Sequence, residues 1–202
     1  MKTKNLTLIV IGVIILFLGG CGCNSYNSMN GLKQKANEAF ANVDNQYKRR
    51  NDLIGNLVNT VKGVADFEQT TLTKVIEARA SATQIKVDPN NLTPEKLKEF
   101  EASQGQLSQA LGRLMVVSEQ YPQLKATDNF KGLQDELSNT ENKIATERSR
   151  YNEAVKEYNT QISNFPNVLY SGILGFKERG FFQATAEEKE VPKVDFSKPA
   201  TK

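Results

Sequence analysis

Residues 128–165 read DNFKGLQDELSNTENKIATERSRYNEAVKEYNTQISNF, and the placing of their apolar residues decides the fold class. Phe130, Leu133, Leu137, Ile144, Tyr151, Val155, Tyr158, Ile162 and Phe165 recur at steps of three, four and seven, which puts them on one stripe of a 3.6-residue helix. Asp128 is a suitable N-cap, because its side-chain oxygen can accept an orphan amide of the first turn. Pro166 ends or kinks the helix.

The same pattern extends upstream. Thr93-Pro94-Glu95 reads as a helix start, with threonine as cap and proline at the first position. That helix buries Leu97, Phe100, Leu107, Leu111 and Leu114 and ends at Tyr121-Pro122, since proline disfavours helix in the residue before it. Before it, Val87-Asp88-Pro89-Asn90-Asn91 is a loop. Further back, Ala36, Phe40, Val43, Tyr47, Ile54, Leu57, Val61, Val64, Leu72, Val75, Arg79 and Ala82 predict one long helix over Tyr26 to Ala82, roughly 85 Å. Its periodicity falters near Arg50 and Glu68, and Gly55 is a candidate bend. Downstream, a short fourth helix is expected around Asn167 to Ile173, followed by a turn through Gly180-Phe181-Phe182 and a charged, mobile tail over 184–202. Short connections make successive helices antiparallel neighbours. The expected fold is therefore all-α, an elongated antiparallel, coiled-coil-like bundle of three long helices plus a short fourth, with an N-terminal membrane anchor.

The anchor is read from residues 1–21. Lys2 and Lys4 precede an apolar run from Leu6 to Leu18, shorter than the roughly 20 residues a spanning helix needs and typical of a signal peptide. Leu18-Gly19-Gly20-Cys21 resembles the bacterial lipobox, which makes Cys21 the expected lipidation site and the protein a lipoprotein. An uncleaved helix taking in the glycines is the competing anchor. Either one places the body, residues 22–183, outside the cytoplasm, on the periplasmic side of a bacterial membrane.

Composition narrows the chemistry. Of the 202 residues, 39% are hydrophobic and 24% charged, as in a foldable single domain. Lysine and arginine number 26 against 23 acids, and with Lys2 and Lys4 set aside the signs nearly balance, so a nucleic-acid partner is not expected. Histidine is absent and the two cysteines are Cys21 and Cys23, both at the end of the apolar run. Zinc hydrolases, Ser-His-Asp enzymes and cysteine proteases are excluded in their usual forms. No cofactor, metal or small-molecule ligand is expected.

The polar residues that stand out are Arg49, Arg50 and Asp52 on the first helix and Glu141, Asn142, Arg148, Asn152 and Asn159 on the third. Glu141, Arg148, Asn152 and Asn159 are spaced seven, four and seven, so they share a face beside the apolar stripe. They are expected to form one polar layer with Arg50 and Asp52, fixing helix register or offering a partner surface. Tyr151 and Tyr158 read as core residues with hydrogen-bonded hydroxyls. Glu147 falls in the apolar register, where it is expected either to be buried, which would raise a carboxyl pKa, or to flank the seam and reach solvent. Gly172, Gly175 and Gly180 lack the strand and helix context of a phosphate loop.

Several runs of residues are similar to the LemA family of bacterial membrane-associated proteins: Val43 to Ile54, Asn56 to Gly63, Thr140 to Ile144 with Arg148, Tyr151 to Val155, and Tyr158-Asn159-Thr160. Phe165-Pro166, Phe181-Phe182 and Pro192 to Phe196 continue the likeness. Gly55, Val64 and Phe67 depart from it, since the family usually has proline, tyrosine and histidine there. The resemblance implies a membrane anchor and an antiparallel bundle, and brings no enzymatic reaction. The expected function is that of a membrane-anchored, non-enzymatic interaction or scaffold protein of the cell envelope, with a protein partner or self-association. The alternatives are an enzyme or accessory using carboxylates such as Glu141 or Glu147, and a self-assembling membrane organiser.

Overall fold

The computed structural model describes the backbone of residues 2–64 and 67–183, with side chains described from residue 24 onward. Residues 1–21 of the expected anchor, Cys21 included, therefore lie outside the described side chains, and the tail 184–202 lies outside the described residues. From residue 24 on, no described helix is long and apolar enough to cross a membrane.

The described residues contain helices and no strand. Four helices form the body: α1 (Lys2–Lys62), α2 (Gln69–Gln84), α3 (Pro94–Ser118) and, after the short α4 (Pro122–Lys125), α5 (Asp128–Ser163). The short fourth helix expected near Asn167 is α6 (Val168–Ser171). Thr93 caps α3 as expected, its Oγ1 accepting the Lys96 amide at 3.4 Å. At α5 the cap is Thr127 rather than Asp128, with Oγ1 accepting the Phe130 amide at 3.4 Å. Asp128 becomes the first helical residue, where a negative charge still favours the helix dipole.

The single helix expected over Tyr26 to Ala82 is instead two. α1 closes at Lys62 in tight turns, Gly63 N–H to Thr60 O at 3.3 Å and Val64 N–H to Val61 O at 3.0 Å. Phe67 then enters the core and its ring meets Tyr121 at 4.8 Å. Both arms bury the same kind of stripe, and the reversal falls where the apolar period falters, near Glu68. Gly55 causes no break: α1 continues through it, and Arg79 of α2 lies over the missing side chain, 3.0 Å from where a Cβ would stand. Arg79 Nε also donates to the Asn51 carbonyl at 2.7 Å, which fixes α2 antiparallel to α1.

α1 packs chiefly on α5 and α2 on α3. α5 runs antiparallel to α1, as the ion pair Lys35–Glu157 at 2.7 Å and the bond from Gln161 Nε2 to Ser28 Oγ at 3.2 Å show. Beyond the reach of α2, the fourth wall of the bundle is the loop 85–93 and an extended segment, residues 176–183, called the strap below. The Phe40 ring sits among Phe100, Tyr151 and Phe182 at 5.9, 5.8 and 6.5 Å, where each aromatic adds pair energy to its buried area. Met29, Tyr158, Ile162 and Phe176 close the end of the bundle from which α1 continues toward Lys2.

Candidate functional site

The polar residues expected to form one layer divide into two groups, Arg50 with Glu141 and Arg148 with Asn152 and Asn159, and Asp52 stands apart from both. Arg50 is 2% exposed, three residues after Tyr47 and four before Ile54, so the helical period turns it inward with the apolar stripe. Its guanidinium donates to Glu141 Oε1 at 3.0 Å, Ser108 Oγ at 3.1 Å and the Gln104 side-chain oxygen at 2.5 Å, and lies 4.9 Å from the Tyr47 ring. It thereby ties α1 to α3 and α5. Arg49 points outward to an ion pair with Glu136. Asp52 is exposed and joins Gly55 and Arg79 around a separate cleft of about 460 Å³, away from Glu141.

Arg148, Asn152 and Asn159 turn instead to the strap. Asn152 Nδ2 donates to the Phe182 carbonyl at 3.0 Å while its Oδ1 accepts the Phe182 amide at 2.8 Å. Asn159 grips Arg179 in the same way, at 2.9 and 3.0 Å. Tyr151 and Tyr158 donate to the carbonyls of Gly180 and Lys177 at 3.2 and 2.9 Å, and Arg148 donates to that of Gln183. The spacing is set by geometry: seven helical residues advance about 10 Å, and so do three extended ones. A Tyr-Asn pair repeated every seven residues on α5 therefore meets every third residue of the strap. Side-chain amides replace the neighbouring strand that an extended backbone otherwise needs.

The strap's other face is equally constrained. A Cβ on Gly180 would stand 2.9 Å from Pro94 Cα, backbone that cannot easily yield. Arg179 is buried and donates to the Pro89 carbonyl at 3.0 Å and to Asn37 Oδ1, joining strap, loop and α1. The strap residues Arg179, Gly180 and Phe182 were not expected as site residues. The signal for them was the repeated Tyr-Asn pair on α5.

Between α3 and α5 a cleft of about 810 Å³ opens, with Tyr47 and Arg50 of α1 at its floor. Gly105, Ser108 and Gly112 form the α3 wall, and Glu141, Asn142 and Ala145 face them from α5. A Cβ at Gly105 or Gly112 would meet nothing within 4 Å. Of the helical glycines with such open space, these two line the cleft. Asn142 is exposed on its rim, and Glu147 pairs with Arg150 at 2.6 Å. Burial pushes the Tyr47 phenol up to about 12, so it stays neutral at ordinary pH. Among the described residues no group of three or more His, Cys, Asp or Glu is placed to hold a metal.

Glu101 stands where cleft and strap meet, accepting the Gln183 amide at 2.9 Å and facing Arg148 at 3.5 Å. Burial raises its pKa above the usual 4.5, outweighing the Gln183 amide and the Arg148 charge, which lower it. A raised folded-state pKa gives a contribution to stability that is complete below the unfolded value and lost as pH rises through the folded one. Wild type is therefore expected to lose stability relative to Glu101→Gln on going from below pH 4.5 to neutrality, measured by urea unfolding at each pH.

Fold and site define an all-α bundle protein organised around a buried arginine, with its C-terminal strap clamped by asparagine amides. The chain belongs to the LemA family, whose family model matches residues 39–196. It is 29% identical over 175 residues to magnetosome protein MamQ 2 of Paramagnetospirillum magneticum, covering 78% of this chain and 64% of that protein. It is 27% identical to magnetosome protein MamQ of Magnetospirillum gryphiswaldense, with the same coverage of each chain, 78% and 64%. Protein LemA of Metamycoplasma hominis is 28% identical over 169 residues, covering 82% of this chain and 72% of that one. The chain thus spans a little under two thirds of the length of the magnetosome relatives, 64%.

Proposed function

We propose that this LemA-family protein is a membrane-anchored, non-enzymatic interaction protein of the bacterial cell envelope, and that the cleft between α3 and α5 receives a helix from a protein partner. The observation that carries the reading is the pair of open glycines. In a helix interior each costs up to about 1 kcal/mol relative to alanine, and at Gly105 and Gly112 no atom of the chain occupies the space so gained. Small residues on one wall let another helix approach closely, Glu141 and Asn142 supply polar contacts that fix its orientation, and the buried Arg50 beneath them positions Glu141. Relatives named both as magnetosome proteins and as LemA fit a docking fold used in different settings. The anchor rests on Lys2, Lys4, the apolar run and Cys21, with the body on the periplasmic side.

The test places a photo-crosslinking residue at Gln109 on the cleft wall and another at Lys74 on the exposed face of α2. A protein adduct is expected from Gln109 alone, and it should vanish when Gly105→Leu and Gly112→Leu fill the cleft without altering helicity. An adduct that survives filling sinks the reading, and an adduct with a second copy of the chain turns it into self-assembly. For the anchor, a fatty-acid analogue is expected to label wild type and not Cys21→Ala. Unchanged processing of that variant would return the anchor to an uncleaved helix.

The isolated protein offers a further check. Gly105→Ala and Gly112→Ala are each expected to raise its stability by up to about 1 kcal/mol in urea unfolding, because neither methyl meets a neighbour. Loss of stability would mean that the chain itself needs the space.

A further inference from the structure

Residues 164–175 join α5 to the strap at the end of the bundle where α1 continues toward Lys2. In a protein with 24% charged residues, this twelve-residue stretch has none. Its polarity is inverted. Asn167 and Ser171 are buried at 5% and 8% exposure, while Phe165, Leu169 and Ile173 are exposed at 81%, 62% and 87%. Val168 and Leu174 are exposed as well, at 51% and 43%. A loop bathed in water has no reason to turn Asn167 and Ser171 in and its largest apolar side chains out.

The backbone matches that inversion. Val168 N–H donates to Asn164 O, Ser171 to Asn167 O, Leu174 to Tyr170 O and Phe176 to Ser171 O, all between 2.8 and 3.0 Å. The buried Asn167 amide donates to the Gln161 carbonyl at 2.9 Å. With these amides satisfied internally, the loop can enter a medium of low dielectric at little desolvation cost.

Its position selects the occupant. Gln161 is level with Ser28, and the Tyr26 ring meets Phe176 at 5.5 Å, so the loop lies beside the part of α1 that leads to the apolar run. Along a helix, Leu18 is about 12 Å and Cys21 about 7 Å from Tyr26. Interfacial elements insert about 5–10 Å into the headgroup and acyl boundary. We infer that the 164–175 loop is a second membrane contact, seating Phe165, Leu169 and Ile173 in the lipid surface and holding the bundle at a fixed tilt to the bilayer. The inference rests on the anchored reading proposed above.

The native chain has no tryptophan, so one introduced residue reports alone. Full-length protein carrying Ile173→Trp or Val116→Trp would be reconstituted into phosphatidylcholine–phosphatidylglycerol vesicles with and without brominated acyl chains. Val116 is 71% exposed near the opposite end, close to the turn where Phe67 meets Tyr121. Brominated lipid is expected to cut the Ile173→Trp emission about twofold or more, as befits a residue at acyl depth, and to leave Val116→Trp unchanged. Protein that floats with the vesicles while Ile173→Trp escapes quenching overturns the loop contact and keeps the anchor. A blue-shifted but unquenched emission overturns it too, in favour of a protein occupant. Failure to float defeats the anchored reading and the loop contact together.

Discussion

Asn159→Ala and Asn152→Ala are each expected to cost about 2 to 3 kcal/mol in stability, the sum of two part-buried hydrogen bonds and the unpaired backbone left behind. Each asparagine meets both the amide and the carbonyl of one strap residue, Arg179 or Phe182. No neighbouring strand replaces either bond when the side chain is cut back. Asn159→Asp should do no better than alanine, since a carboxylate still accepts the Arg179 amide but sets a second oxygen against its carbonyl. The double variant should cost less than the sum, because the second cut acts on a strap already loosened by the first. Hydrogen exchange is the direct readout: protection at residues 176–183 should fall before α2 and α3 change. Uniform loss across the bundle would mean that the strap unfolds only with the whole.

This clamp shows where the sequence was legible and where it was not. The helix faces of α3 and α5 follow from apolar spacing alone, because removing one apolar stripe from water drives their packing more strongly than any polar contact they make. The seven-residue repeat of Tyr-Asn was equally visible, yet its partner was not. The asparagines bind strap backbone, which every residue type but proline presents, so the identities at 177–183 carry almost no trace of the pairing. Val61 and Leu72 lie on opposite arms of a reversal that the apolar period marks only by its lapse near Glu68, because both arms bury the same kind of stripe. Spacing alone does not separate the two groups of polar residues, because Glu141 and Asn159 share a face of α5. What separates them is which element lies opposite at each height: α3 near Glu141, the strap near Asn159. Arg50 could be read from its register between Tyr47 and Ile54, against the usual reading of a Lys-Arg-Arg run as solvated.

Arg50→Ala is expected to cost about 3 to 4 kcal/mol, toward the lower part of the range for breaking a buried ionic group. The discount has a structural reason. The Glu141 side chain is 43% exposed, so water can replace the lost guanidinium there, whereas Gln104 is 4% exposed and loses its partner outright. Glu141→Gln keeps an oxygen for the Arg50 hydrogen bond but takes the opposite charge from a buried guanidinium, so it should cost about 1.5 to 3 kcal/mol. Arg50→Met separates packing from polarity. Its unbranched thioether follows the arginine stem beside Tyr47 and fills much of the slot, while Ser108 and Glu141 rehydrate through the open cleft. Urea unfolding should therefore place Arg50→Met well above Arg50→Ala. Equal losses would mean that the hydrogen bonds to Gln104 and Ser108, rather than the filled volume, hold α1 against α3. Adduct formation from Gln109 should respond differently. If the guanidinium orients the docked helix, Arg50→Met keeps the bundle and loses the adduct, and retention of both would leave Arg50 a purely structural residue.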